Sequence, residues 1–391
     1  MTRSSTSDPA RARRRLLPTC LVLLVGLALL QGGDGRAFRP LLEGVWAGLG
    51  ALLGLQSAHL AALLTGRLAG APVTAVLGFG PRLAEFTVGP ITLSVRRVLI
   101  PFLCIERVPV AGPALRPRLW LATLLASAVQ IALGVWLITL PSPGRSLAFG
   151  VLFLAVVSLV AVWQPMSAGW MLLRMPFLPR ATADGLALGA DGIAAVRAHV
   201  RGDLAKAEAA LGPLAADRVP GGQEYLLRAG IAEARGRYEE SATLARAAAS
   251  AVVGRARTAQ AHLQLAGAFV GAAETGELPP AGYLPQLEQA VAAAGAAFPA
   301  LLRHSPAPAW LALLNGEREE ALSLARRAAG QATGPLARAQ AECALAAALA
   351  GVGRTDEARQ AVGRARALCP ELARIAAVEG RIGLLTVEPA G

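Results

Sequence analysis

Gly44–Leu83 reads GVWAGLGALLGLQSAHLAALLTGRLAGAPVTAVLGFGPRL, and the reading of this stretch decides the architecture. Up to Thr65 it is apolar, with one ionisable side chain, His59. About 20 apolar residues suffice to cross a bilayer. An imidazole inside such a run is costly to bury and marks a functional-site candidate. Beyond the run, after a short loop, come Leu77-Gly78-Phe79-Gly80-Pro81-Arg82-Leu83.

Working outward, the 391-residue chain is 54% hydrophobic and only 16% charged, with a mean hydropathy of +0.48. Soluble domains usually carry about 25% charged residues. The deficit lies before about residue 180, which predicts a membrane half followed by a soluble half. The net charge of +12 is carried by arginine, with Lys206 the only lysine. Arginine in place of lysine, with heavy alanine and glycine use, points to a high-GC bacterial genome. Nucleic acid is not an expected partner, because the arginines flank apolar runs or scatter along helices without a binding motif. Cys20, Cys104, Cys343 and Cys369 lack metal or disulfide spacing and read as small buried hydrophobes.

Residues 1–15 form a basic N-terminus ending Arg11-Ala12-Arg13-Arg14-Arg15, expected in the cytoplasm. Spans are predicted at 16–31, 42–64, 119–140 and 147–163; the first reads as a retained span rather than a cleaved signal. The loop up to Arg118 is rich in arginine, so the positive-inside rule places it in the cytoplasm. Four spans then leave both termini cytoplasmic, in a multi-pass protein of the bacterial cell membrane. Within that loop, Phe86-Thr87-Val88 and Ile91–Val95 flank Gly89-Pro90 and predict a small β-hairpin.

The apolar run with His59, the Gly78-Phe79-Gly80-Pro81 turn and the Ala111-Gly112-Pro113 step occur in an order that resembles the site-2 protease family of intramembrane zinc metalloproteases. The resemblance covers about residues 43–175. It implies an H-E-x-x-H motif on the first core span and an aspartate ligand after the last. Here those positions read Leu55-Gln56-Ser57-Ala58-His59 and Ala168. A hydrolytic zinc site needs three protein ligands and an open water position. The two histidines of such a motif share a helix face, and its glutamate acts as general base. Leu55 and Ala168 cannot ligate and Gln56 cannot take a proton, so the resemblance implies a relative without catalytic residues. His59 is the only retained candidate ligand. No cofactor is expected; the alternative, an active protease with an unconventional site, would require zinc.

From about Ala181 the apolar spacing is helical. Four units pair a small residue with a glycine seven positions on: Ala195 with Gly202, Ala229 with Gly236, Ala309 with Gly316, and Ala346 with Gly353. Ala207, Ser241, Ala321 and Ala358 follow five positions after each glycine, and Leu214, Ala248, Ala328 and Ala365 twelve after. This pattern resembles the tetratricopeptide repeat, with the first unit imperfect at Leu214. The period is lost from Arg255 to Phe298, where Gly276–Pro280 and Pro285 predict a longer loop.

The expected fold is therefore an all-α membrane bundle with a small β-hairpin (16–180), then an all-α tetratricopeptide-like domain (181–391). Stacked repeats offer a concave face for a protein or peptide partner. Arg235, Arg237, Arg246, Arg326, Arg327 and Arg354 are positioned to favour an acidic one. The expected function is that of an inactive protease relative, a membrane-anchored scaffold or regulator.

Overall fold

The computed structural model describes residues 38–64, 68, 70–214, 219–276 and 279–387. The predicted basic N-terminus, the 16–31 span and Cys20 lie outside them. The fold is mostly helical with one small sheet. The chain divides into two compact units, one holding residues up to Ser57 together with Ala128–Val157, the other holding Ala58–Ser127 and everything from Ser158.

Among the described residues three apolar helices supply the first unit: α1 (Phe38–Leu64), α2 (Leu115–Ile138) and α3 (Gly144–Val160), each continuing past the unit's limits. Arg39–Ala61 and Leu115–Ile138 are long and apolar enough to cross a membrane. The span predicted at 147–163 is a 17-residue helix that stops at Val160, short of the usual ~20 residues. Ser167 sits beyond its end and caps the next helix by accepting from the Trp170 backbone N–H. Helix contact in the first unit depends on glycine. A Cβ at Gly150 would overlap the Ala47 carbonyl, and one at Gly50 would overlap that of Leu147. Small residues of this kind let helix backbones touch.

The second unit begins with two long antiparallel strands, β1 (Ala71–Val88) and β2 (Ile91–Val108). The predicted hairpin is present, with Val88 opposite Ile91 and Phe86 opposite Leu93 across the Gly89-Pro90 turn. Each strand is far longer than the sequence suggested. Gly78-Phe79-Gly80-Pro81, predicted as a turn, lies inside β1. Gly78 and Gly80 have φ of 84° and 85° there, values favourable only to glycine. They bend β1 so that its first arm gains a second partner. Thr74–Leu77 face Thr92–Val95 on one side and Glu106–Leu103 on the other, with residue numbers rising together in the first of these pairings.

A connecting cluster follows around α4 (Ala168–Arg174) and α5 (Arg180–Asp184), in which Trp170 and Met171 of α4, with Met175 and Leu186 from the segments after α4 and α5, pack against Leu115 and Leu119. Helix–turn–helix pairs then run to the end of the described chain. They are α6 (Ala190–Arg201) with α7 (Leu204–Leu211), α8 (Gly222–Ala234) with α9 (Tyr238–Ala251), and α10 (Arg255–Glu274) with α11 (Pro280–Ala297). After the short α12 (Pro299–His304) come α13 (Ala307–Leu314) with α14 (Arg318–Gln331), α15 (Pro335–Gly351) with α16 (Thr355–Leu368), and the closing α17 (Arg374–Val387).

Gly202, Gly236, Gly316 and Gly353 all sit in the turns of these pairs with φ near +80°. In each, the next residue's N–H reaches back to a carbonyl five residues earlier: Asp203 to Ala198, Arg237 to Ala232, Glu317 to Ala312, Arg354 to Leu349. This is the hydrogen-bond pattern of a left-handed helix cap. Ala195, Ala229, Ala309 and Ala346 are buried where the helices cross, as are Ala207, Ser241, Ala321 and Ala358. Leu214 is exposed, because α7 already ends at Leu211 before Gly212-Pro213. The lost period between Arg255 and Phe298 is no gap. A full pair stands there with Gly276 in its turn (φ 76°), Pro280 starting α11 and Pro285 inside it. The sequence pattern missed it because Phe269, not a small residue, precedes that glycine by seven positions.

Candidate functional site

The positions that the resemblance would assign to a metal site carry side chains that do not fit one. Leu55, Gln56 and His59 lie on one helix, α1, and Ala168 begins α4. A hydrocarbon at 55, a carboxamide at 56 and a methyl at 168 leave one imidazole as the only donor of the expected set able to bind zinc. Among the described residues no group of three or more His, Cys, Asp or Glu side chains is arranged to hold a metal ion. The backbone carbonyl of His59 accepts a hydrogen bond from Arg107 at 3.3 Å.

The polar organisation of the second unit lies elsewhere, where the sheet meets the helix pairs. Glu85 on β1 accepts from the Gly334 N–H at 2.9 Å, at the N-terminus of α15, and pairs with Arg338 at 3.3 Å. On the same sheet, Arg82 and Arg96 face each other in register. Arg82 donates to the Ala332 carbonyl (3.1 Å); Arg96 donates to the Gln331 carbonyl (2.9 Å) and the Thr333 hydroxyl (2.6 Å). Those carbonyls close the C-terminus of α14. A carboxylate thus meets the positive end of one helix dipole and two guanidiniums meet the negative end of another, the favourable sign in each case. Further along, Arg201 donates to the Gly89 carbonyl at the hairpin tip (2.7 Å), and Arg197 to that of Pro72 (3.3 Å). Arg257 pairs with Glu106 at 3.6 Å. Below these contacts Val73 and Val108 pack with Leu188, Ile193, Leu227 and Ile231.

Between sheet and helices lies a cavity of about 760 Å³. Its sheet wall includes Val73, Phe79 and Arg96; its helical wall comes from the first helices of successive pairs, with His199, Leu227, Gln264, Trp310 and Leu336. Pockets of this size that take small molecules are mostly apolar, with a few convergent polar groups. Burial depresses the His199 pKa to about 4, so its imidazole is neutral at pH 7. Gly230 makes room for it: a Cβ there would stand 3.0 Å from His199 Nε2 and 3.1 Å from Gln264 Nε2. Burial also lowers the Arg96 pKa, an effect Glu85 opposes.

At the helical side Arg374 is enclosed by Glu274 (3.2 Å) and Glu233 (3.5 Å) and lies 5.5 Å from the Trp310 ring centroid. Burial raises the pKa of both carboxyls and Arg374 opposes this. Burial works against the Arg374 charge as well, but Glu274 and Glu233 more than offset it and its pKa is raised.

Of the arginines predicted to present a basic surface, four are engaged within the chain. Arg235 binds Glu371 (2.7 Å), Arg237 binds Glu208 (2.7 Å) and Arg354 binds Glu357 (2.6 Å), while Arg246 lies over Phe269 and reaches Gln286. Arg326 and Arg327 are exposed. Sequence reasoning missed Glu85, Arg82, Arg96 and Arg374. For Glu85, Arg82 and Arg96 the available signal was charged residues inside a β-rich segment, which a solvent-facing loop does not require. Comparison with protein-family models, with curated proteins and with solved structures found no match.

Proposed function

We propose that the chain is a catalytically inactive relative of the site-2 proteases, a multi-pass bacterial membrane protein with cytoplasmic termini. In this reading it acts as a scaffold or regulator, and its tetratricopeptide-like helix pairs dock a protein or peptide partner. The observation that carries it is the set of contacts from Arg82, Glu85 and Arg96 to Gln331–Gly334 and Arg338. They tie the strands that follow the first apolar helix to the repeat-like array, so that a partner bound on the array would be felt at the sheet. Leu55, Gln56 and Ala168 support the inactive reading by their chemistry.

The test is the metal content of the detergent-purified full chain beside its His59→Ala variant. Equal, substoichiometric zinc in both is the expected result. One zinc per chain, lost on His59→Ala, would defeat the reading. A chelator-sensitive cleavage of a co-reconstituted membrane substrate would establish the protease instead.

A further inference from the structure

We propose that the cavity between the sheet and the helix pairs binds an amphiphile, a long apolar chain ending in one carboxylate. Among the described residues its positive charge is in excess at one end only. Arg257 is matched by Glu106, and Arg374 by Glu233 and Glu274. Around Arg96 three arginines, Arg82, Arg96 and Arg338, stand against Glu85, which pairs with Arg338, and the weaker field of Glu342, which pairs with Arg364. Among the described residues Arg82 and Arg96 donate to neutral oxygens. Arg96 is 6% exposed, and its second terminal nitrogen, Nη1, has no hydrogen-bond partner among the described residues.

A buried guanidinium nitrogen without an acceptor is costly. An anionic oxygen is the acceptor that satisfies it best, through a short charge-assisted bond. Trp310, 2% exposed on the helical wall, likewise leaves its indole N–H without a partner among the described residues. Away from Arg96 the lining mixes Val73, Leu227, Val270 and Leu336, which suit a hydrocarbon chain, with polar side chains such as His199 and Gln264. A cationic head would meet the arginine excess, and an uncharged head would leave it unanswered. Because sheet and helices each supply a wall, the ligand would hold the two together. The inference does not depend on whether the chain is a protease relative, and its test does not involve zinc.

The probe is 12-bromododecanoate, added to the full chain in phospholipid nanodiscs with empty discs subtracted. Bromine quenches indole fluorescence on contact. Saturable quenching is expected, much reduced in Trp310→Phe, and dodecanoate should displace the probe at least tenfold more effectively than dodecylamine or dodecanol. Arg96→Gln should weaken binding at least tenfold, Arg96→Lys should retain most of it, and the exposed Arg174→Gln should be unchanged. Equal displacement by dodecylamine, undiminished quenching in Trp310→Phe, or a folded Arg96→Gln that binds normally would each overturn the proposal. So would displacement by an apolar peptide with a free C-terminus but not by dodecanoate. If Arg96→Gln loses its cooperative melt, the head-group series and Trp310→Phe decide.

Discussion

In the unit built from Phe38–Ser57 and Ala128–Val157, large apolar side chains face outward and small ones face in. Leu49, Trp136, Phe149 and Phe153 are exposed, while Gly50, Ala148 and Gly150 are buried. Among the helix pairs from Ala190 onward the arrangement is reversed. Trp310, Leu287 and Leu204 are buried among alanines, and arginines and glutamates face out. Both regions use small residues to bring helices close, yet they are turned toward different surroundings. The second pattern is that of a domain in water, whose apolar groups gain by leaving it. The first exposes many large apolar side chains, and two of its helices are long and apolar enough to cross a membrane.

The largest expected effect tests how dry the interior of the helix pairs is. Arg374→Met would leave Glu233 and Glu274 buried without their cation, a loss of about 3–5 kcal/mol when one partner of a buried pair is removed. The loss should depend on pH. A carboxyl whose folded pKa is raised contributes stability that is complete below its unfolded pKa and is lost as pH rises through the folded one. Arg374 holds both carboxyls down, so removing it raises them further. The variant should be least stable at neutral pH and recover on acidification toward the ordinary glutamate range. Thermal melts of variant and parent between pH 7 and 5 check this, and a pH-independent gap would contradict it.

A smaller effect separates the two outward faces directly. Leu49→Arg on α1 should cost about 3 kcal/mol of membrane insertion. Thr243→Arg, equally outward on α9, should change stability by no more than about 0.5 kcal/mol. Insertion efficiency and melting temperature are the respective measurements, and equal tolerance at both sites would erase the contrast. Smaller than the Leu49→Arg effect is that of Gly353→Ala. A methyl there meets nothing within 4 Å, so only the left-handed backbone is penalised, by about 1–2 kcal/mol. A denaturant titration would register it as a shifted midpoint with unchanged slope.

The helix pairs were legible because their signals are local. A left-handed turn calls for glycine at Gly202, Gly236, Gly316 and Gly353, and a close crossing calls for a small residue seven positions earlier. The pair at α10 and α11 escaped because Phe269 fills the crossing that alanine fills elsewhere. The hairpin tip at Gly89-Pro90 was equally local. The strands flanking it were cut short because Gly78, Gly80 and Pro81 carry the signature of a turn. Only pairing on both sides of Thr74–Leu77 turns that signature into a bend.

Taken alone, the sequence determined the apolar helices, the capped turns, the absence of side-chain ligands at positions 55 and 168, and the want of a basic carboxylate at 56. Composition, spacing and side-chain chemistry are properties of the chain before it folds. Tertiary structure alone decided that Glu85 and Arg96 would meet Gly334 and Gln331, roughly 240 residues away, and that Arg374 would share its burial with Glu233 and Glu274. Such contacts leave no periodic trace, because each depends on where a charged group finds a helix end or an opposite charge once water has been excluded.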